Sequence, residues 1–307
     1  MNAVGLPSTF FTDPPEWRWL IIGYFFIGGL AGGCYFLAVL IDFFGGAVDR
    51  PLARLGYFVA FPAVVVSGLL LIVDLRRPDR FWHMLIQSDT GHPMLKPYSP
   101  MSLGSWALLL FGGFAFLSFL AALEDAGVLR WPRLAMFRPP HIVGRVIGIL
   151  GGILAFFVAG YTGVLLAVTN RPIWSDTTLL GLNFLISAAS TSAALLILLG
   201  HLRWYWRSSV AALERFDAMV LVLELIALVA LIASLGSLAR VWLNAWGALL
   251  VVGVFLLGIV IPLVLQWRPN LLGERWSAPA AAVLVLVGGF LLRVVVVLSS
   301  ESLEVLG

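Results

Sequence analysis

The stretch LGYFVAFPAVVVSGLLLIVDLRRPDRFWHML, Leu55–Leu85, carries no Asp, Glu, Lys or Arg in its first nineteen residues and then places Asp74, Arg76, Arg77, Asp79 and Arg80 within seven. An uncharged run of about twenty residues is the length a helix needs to cross a bilayer. The pattern is not confined to this stretch: 61% of the 307 residues are hydrophobic and 11% charged, where a soluble domain carries about 25% charged residues. A chain this apolar cannot hide its surface inside itself in water. It reads as an all-α polytopic membrane protein.

Seven polar separators cut the chain into eight spans, about 17–43, 52–75, 101–123, 141–168, 177–200, 214–236, 243–267 and 278–300. Backbone groups in lipid must be satisfied internally, and these runs are too long and too evenly apolar for barrel strands, so helices are expected. No Pro/Gly-rich linker or long soluble segment marks a second domain, and 1–307 reads as one integral membrane domain. The start, MNAVGLPSTFFTDPPEW, has no basic region before its first apolar run and does not resemble a cleaved signal peptide. Cys34 is the one cysteine, which excludes an internal disulfide and a cysteine-ligated iron–sulfur cluster.

Arginines give the orientation. The separators after spans 1, 3, 5 and 7 hold Arg50, Arg54, Arg130, Arg133, Arg138, Arg203, Arg207, Arg215, Arg268 and Arg275; the other side holds Arg18, Arg76, Arg77, Arg80, Lys96, Arg171 and Arg240. The positive-inside rule places both termini outside. A net charge of +3 beside membrane spans is no sign of a nucleic-acid partner. The Arg76–Lys96 loop then faces outward against the usual bias. Its arginines either neutralise Asp74 and Asp79 at the headgroups or meet an acidic surface on a partner.

With this topology Tyr24 of span 1, Tyr161 and Thr162 of span 4 and Asn183 of span 5 lie about 9 Å below the outer ends of their helices, at 1.5 Å per residue, and Asp74 closes span 2 on the same side. Each residue alone is more often structural, tyrosine especially. Together, a hydroxyl, an amide and a carboxylate at one depth match what a quinone head requires: donors for its carbonyl oxygens and a group that relays protons. GGLAGG (Gly28–Gly33) and Gly144, Gly148 and Gly152 allow spans 1 and 4 to approach closely.

Other intramembrane ionisable groups are functional candidates by default. Glu224 lies mid-span, and Arg293 is expected to pair with Asp74 or Glu224. Asp42 and Arg145, at the inner ends of spans 1 and 4, either begin a polar route from the inner side or serve as structural or snorkelling charges. His83, His92, His141 and His201 all lie outside the middles of spans, so neither bis-histidine haem ligation nor a metal site is expected.

Five segments, YFFIGGLAGGCYFLA (Tyr24–Ala38), DLRRPDRFWHML (Asp74–Leu85), YSPMSLGSWALLLF (Tyr98–Phe111), YTGVLLAVTNRPIW (Tyr161–Trp174) and NFLISAASTSAALL (Asn183–Leu196), in this order across eight spans, resemble the NrfD/polysulfide-reductase membrane-subunit family. The resemblance implies a haem-free, quinone-interacting anchor in a bacterial or archaeal cytoplasmic membrane. Its expected cofactor is menaquinone or ubiquinone. Its expected partners, besides the lipid bilayer, are a ferredoxin-like iron–sulfur subunit on the outer face and a molybdopterin or multihaem catalytic subunit beyond it. The quinone site is expected in residues 17–200, spans 1–5, with 201–307 as the remaining spans. The implied roles are cofactor binding for Tyr24, Asp74, Tyr161, Thr162 and Asn183, and docking for Arg76, Arg77, Arg80, Trp82, His83 and Lys96. Asp74 and Glu224 are expected to serve proton chemistry, with Asp42, Arg145 and Arg293 on proton routes. The family often has a histidine or asparagine on the first span; here Tyr24 is the nearest polar residue. On the residues alone, a secondary transporter or channel and an anchor with an inactive site remain alternatives. The transporter lacks a repeat between halves and paired broken helices.

Overall fold

The computed structural model describes residues 17–202, 207–273 and 275–300. Residues 1–16, which carry most of the N-terminal reading, and Arg203 lie outside them. Eight helices are long and apolar enough to cross a membrane: α1 (Trp19–Phe44), α2 (Arg50–Asp74), α3 (Pro100–Asp125), α4 (Ile142–Ala167), α5 (Leu180–Leu202), α6 (Arg207–Leu235), α7 (Ala245–Trp267) and α8 (Ser277–Leu298). The protein is an integral, multi-pass helical membrane protein.

An even number of crossings puts the described ends of the chain on one face, called here the terminal face, and contacts between loops close it. Trp17 stacks on Trp174 at 5.6 Å between ring centroids, Trp174 Nε1 donates to the Val296 carbonyl at 2.8 Å, and Trp242 Nε1 donates to Ser299 Oγ at 3.0 Å. The opposite, distal face carries the turns after α1, α3, α5 and α7.

Helix α1 packs against α2, α4, α5 and α8. Two-thirds of its most apolar window is buried (67%), against 28% for α2, so α1 is central and α2 lipid-facing. The GGLAGG run makes this possible. A Cβ added at Gly32 would strike the Ala155 carbonyl and one at Gly33 would strike Ser192, so only glycine lets α4 and α5 close on α1 here. Helix α5 joins the first four helices to α6 and α8.

Two helices bend the usual rules. Pro62 sits inside α2. In α7 the segment Leu250–Val260 is wound as a π-helix just before Pro262. Proline supplies no N–H and its ring crowds the carbonyl four residues back, and wider winding relieves that crowding. The interruption of this span is thus a change of winding within a continuous helix.

At the α7–α8 crossing Gly258 and Gly288 meet backbone to backbone, and a Cβ on Gly288 would overlap the Gly258 Cα. Gly288→Val is expected to cost about 1–3 kcal/mol and to lower the thermal midpoint of the detergent-solubilised protein. Gly68, with nothing within 4 Å of its added Cβ, provides the control: Gly68→Ala should leave the midpoint unchanged or higher. Equal midpoints for both variants would show that the crossing is loose.

Candidate functional site

Polar groups inside the bundle fall into separate clusters, and one of them lies in the half nearer the terminal face. Tyr24 of α1 is buried (3% exposed) and lies near Tyr161 of α4. The Tyr161 hydroxyl donates to the Pro100 carbonyl at 2.7 Å, and its ring fills the place a side chain at Gly104 would take. Glycine at 104 is what admits the tyrosine against α3. The hydroxyl of Tyr24, by contrast, donates to no group among the described residues. Of the two candidate donors, Tyr161 is already engaged and Tyr24 is not.

The remaining members of that layer are less closely joined. Thr162 is fully buried and its hydroxyl faces the Ala159 carbonyl of its own helix at 3.4 Å. Asn183 is buried, with Nδ2 donating to the Leu179 carbonyl at 3.0 Å and Oδ1 left without a partner among the described residues. Asp74, the last residue of α2, is partly exposed and makes no ion pair among the described residues. No hydrogen bond among the described residues links Asp74, Thr162 or Asn183 to either tyrosine.

The loop between α2 and α3 is tied to α3 by its own backbone. Ser99 caps α3, accepting from the Ser102 amide at 3.4 Å, while Ser102 Oγ and Trp106 Nε1 both donate to the Met94 carbonyl, at 3.0 and 3.2 Å. The Lys96 amide donates to Ser102 Oγ at 3.0 Å. Over this frame Phe81 and Trp82 are exposed, and the Trp82 ring lies tilted against His83 with centroids 3.9 Å apart. Arg76 and Arg77 are exposed without ion pairs among the described residues, and Arg80 reaches only Asp79, 3.9 Å away in solvent, a contact worth little. Among the described residues, direct ion pairing in this cluster is limited to Arg80 and Asp79.

The second cluster joins α5, α6, α7 and α8. Arg293 is fully buried; its Nη1 donates to Ser187 Oγ at 2.9 Å and to the Gly289 carbonyl at 2.6 Å. Its guanidinium lies 5.2 Å from the Phe184 ring and 5.6 Å from the Phe26 ring, close to Gly29 of α1. Glu224 is buried near Arg293, Ser187 and Ser190, and Ser190 Oγ donates to Asp217. The two charges form no direct ion pair; Arg293 Nη1 is held by Ser187 Oγ instead. Of the two acids weighed for Arg293, Glu224 is the one placed beside it.

Asp217 is the member that sequence reasoning missed. It is fully buried, accepting from Ser190 Oγ at 3.2 Å and from Gln266 Nε2 of α7 at 2.7 Å. Its spacing of seven residues from Glu224 puts both on one helix face, and that was the available signal. Two carboxylates against one guanidinium leave one acid more than the cation balances, a composition suited to gaining and losing a single proton.

Asp42 and Arg145 are not joined in one route. Asp42 accepts from the Tyr57 hydroxyl at 2.9 Å at a distal-face cavity of about 20 Å³ lined by Arg50, Arg54, Ser118 and Arg138 as well. Tyr35 contacts Tyr57 edge-on and meets Ser118 Oγ at 2.9 Å. Beyond Tyr35 the fully buried ring of Phe111 interrupts the polar file. Arg145 is exposed, because Gly144, Gly148 and Gly152 turn the inward side of α4 toward Arg138, Phe43 and Val39, and position 145 faces elsewhere. Among the described residues no group of three or more His, Cys, Asp or Glu side chains is placed to hold a metal ion.

A family model described as "Polysulphide reductase, NrfD" matches residues 8–302. The protein is 28% identical over 270 residues to one of the chains of polysulfide reductase from Wolinella succinogenes, covering 81% of its own length and 82% of that relative. It is 27% identical over 311 residues to protein NrfD of Escherichia coli, with 93% and 95% covered. Against one of the subunits of selenate reductase from Mesobacillus selenatarsenatis identity is 23% over 303 residues, covering 89% of this protein and 64% of that one. The chain belongs to the NrfD/polysulfide-reductase membrane-subunit family.

Proposed function

We propose, from this membership, that the protein is the quinone-interacting membrane subunit of a multi-subunit oxidoreductase. In this reading its terminal face is the outer face of a bacterial or archaeal cytoplasmic membrane. Two electrons pass between membrane quinone and a ferredoxin-like iron–sulfur subunit docked on the loop Arg76–Pro97, with a molybdopterin or multihaem catalytic subunit beyond. The observation that carries the reading is the Tyr24 hydroxyl, a donor on a buried side chain with no acceptor among the described residues, next to Tyr161 and near the docking loop. The unpaired Oδ1 of Asn183 adds an acceptor within the same half, residues 17–200. That donor set fits a quinone head, whose carbonyls accept and whose reduced hydroxyls donate.

The bound quinone supplies the two-electron chemistry; the protein supplies position and protons. Tyr24 donates a hydrogen bond, while Tyr161, held by Pro100, fixes the wall between α3 and α4. Asp74, partly exposed at the membrane edge, exchanges protons with the terminal-face water. The second cluster conducts protons from the opposite side: Arg293 rests against Phe26 and Gly29 of α1, and Gly29 is five residues from Tyr24, about 7.5 Å along the helix. The file Asp217–Ser190–Glu224–Ser187–Arg293 thereby reaches α1 at a height close to the tyrosine layer. Two of the three named relatives belong to a polysulfide reductase and a selenate reductase, consistent with a terminal substrate chosen by the partner subunits.

Isolation of the complex from native membranes tests the reading. Quinone and an iron–sulfur protein should co-purify with the subunit, and reversing Arg77 and Arg80 to Glu should weaken retention of the iron–sulfur partner, most visibly as salt is raised. A protein that purifies alone with a bound solute, or with stoichiometric haem of its own, would overturn it.

A further inference from the structure

The proton file proposed above needs a mouth at the distal face, and the same helix face provides one. Glu214 precedes Asp217 by three residues on α6, so it sits one turn nearer the distal end on the same side. Its side chain is 32% exposed where Asp217 is 0% exposed, a change from water contact to full burial within one turn. Across from it, in the last turn of α5, His201 places Nε2 3.5 Å from Glu214 Oε1 and is itself 23% exposed. His201 Nδ1 lies 3.0 Å from the Ile197 carbonyl. A carbonyl only accepts, so Nδ1 carries the hydrogen and Nε2 is the nitrogen that gains or loses a proton. As an ion pair this contact is worth little at such exposure. As a proton acceptor at the end of a buried acidic file it has a clear use.

A second observation lies between Glu214 and the buried file. Gln266 of α7 gives its Nε2–H to Asp217, and its Oε1 is buried with no hydrogen-bond partner among the described residues. A buried amide oxygen is costly unless something donates to it, and water is the donor that also carries protons. Among the described residues the charged and titratable groups facing this line are His201 of α5, Glu214, Asp217 and Glu224 of α6, and Arg293 of α8; α7 contributes the neutral Gln266.

Resting on the proton-route reading, we infer that the His201–Glu214 pair is the entrance through which protons from the distal aqueous face reach Asp217. His201 Nε2 takes a proton from bulk water and passes it to the Glu214 carboxylate. A water held by Gln266 Oε1 accepts that proton while giving one of its own to Asp217, and His201 is recharged from the distal phase. One proton enters and one moves inward; nothing is oxidised or reduced.

The test uses the whole complex in vesicles with quinone-linked turnover measured while pH is varied on the distal side alone. His201→Gln and Glu214→Gln are expected to slow turnover on the order of tenfold and to flatten its dependence on distal pH. This is less than the roughly hundredfold of a lost acid–base group, because water partly reaches Asp217 without them. Glu214→Asp should restore most of the rate, quinone affinity should be unchanged, and His201→Gln carries the test if Glu214→Gln fails to assemble. Glu224→Gln separates the two levels of inference. If Glu224→Gln slows turnover and the mouth variants keep the parental rate and pH profile, the entrance is overturned and the route stands. If Glu224→Gln is itself without effect, the route falls, and the entrance with it.

Discussion

Glu224→Gln is expected to lower quinone-linked turnover roughly hundredfold while the complex assembles normally and quinone affinity is retained. The amide keeps the size and shape of the carboxyl beside Ser187 and Ser190, so the cluster's packing survives. What is lost is the proton the carboxyl can carry. Arg293 is not stranded by the change, since its Nη1 donates to Ser187 Oγ and the Gly289 carbonyl and forms no direct ion pair with Glu224. Asp217→Asn is expected to act in the same way, its remaining oxygen still accepting from Gln266. The double variant should be little slower than either single one, because two links of one file fail as a unit. Normal turnover and normal charge movement in Glu224→Gln vesicles would remove the proton-route assignment.

Much of the fold could be read from hydropathy, because lipid demands long uninterrupted helices and the separators are polar. The third span, expected at 101–123, runs Pro100–Asp125, and the fourth, expected at 141–168, runs Ile142–Ala167. Span 6 departs most: expected from 214, it begins at Arg207. Its first turn, Arg207, Ser208 and Ser209, is polar, and Glu214, Arg215 and Asp217 follow a short apolar stretch, so a hydropathy reading starts the span late even though the helix already runs. Asp217, three residues inside the expected start of the span, is buried inside the bundle.

Rotational phase was the second limit. Asp42 and Arg145 share a depth, but depth does not say which way a side chain points; the glycines of α4 face α1 and leave Arg145 exposed. The same limit applies to the tyrosine layer. Sequence places Tyr24 and Tyr161 at one level, yet only the fold reveals that Tyr161 donates its hydrogen bond to Pro100 while Tyr24 donates to no described group. The π-winding of α7 has no signature in composition beyond Pro262.

That difference between the tyrosines makes them separable by experiment. Tyr24→Phe removes a donor with no acceptor among the described residues, so it should leave the subunit's stability and its partner contacts unchanged. If a quinone carbonyl is what the hydroxyl serves, binding should weaken by about 1–3 kcal/mol, roughly 5- to 150-fold in Kd. Tyr161→Phe removes the hydrogen bond to Pro100 at the start of α3, two residues before Ser102, whose hydroxyl ties Met94 and Lys96 of the docking loop. It should therefore weaken quinone binding through a displaced wall and also loosen the loop, lowering the salt concentration at which the iron–sulfur partner dissociates. Titrating quinone into both variants, alongside a salt series of complex recovery, separates the two effects: affinity alone changes for Tyr24→Phe, affinity and docking together for Tyr161→Phe. Unaltered affinity in Tyr24→Phe would place the quinone head elsewhere, and the membrane-subunit assignment would then need a different site within the same bundle.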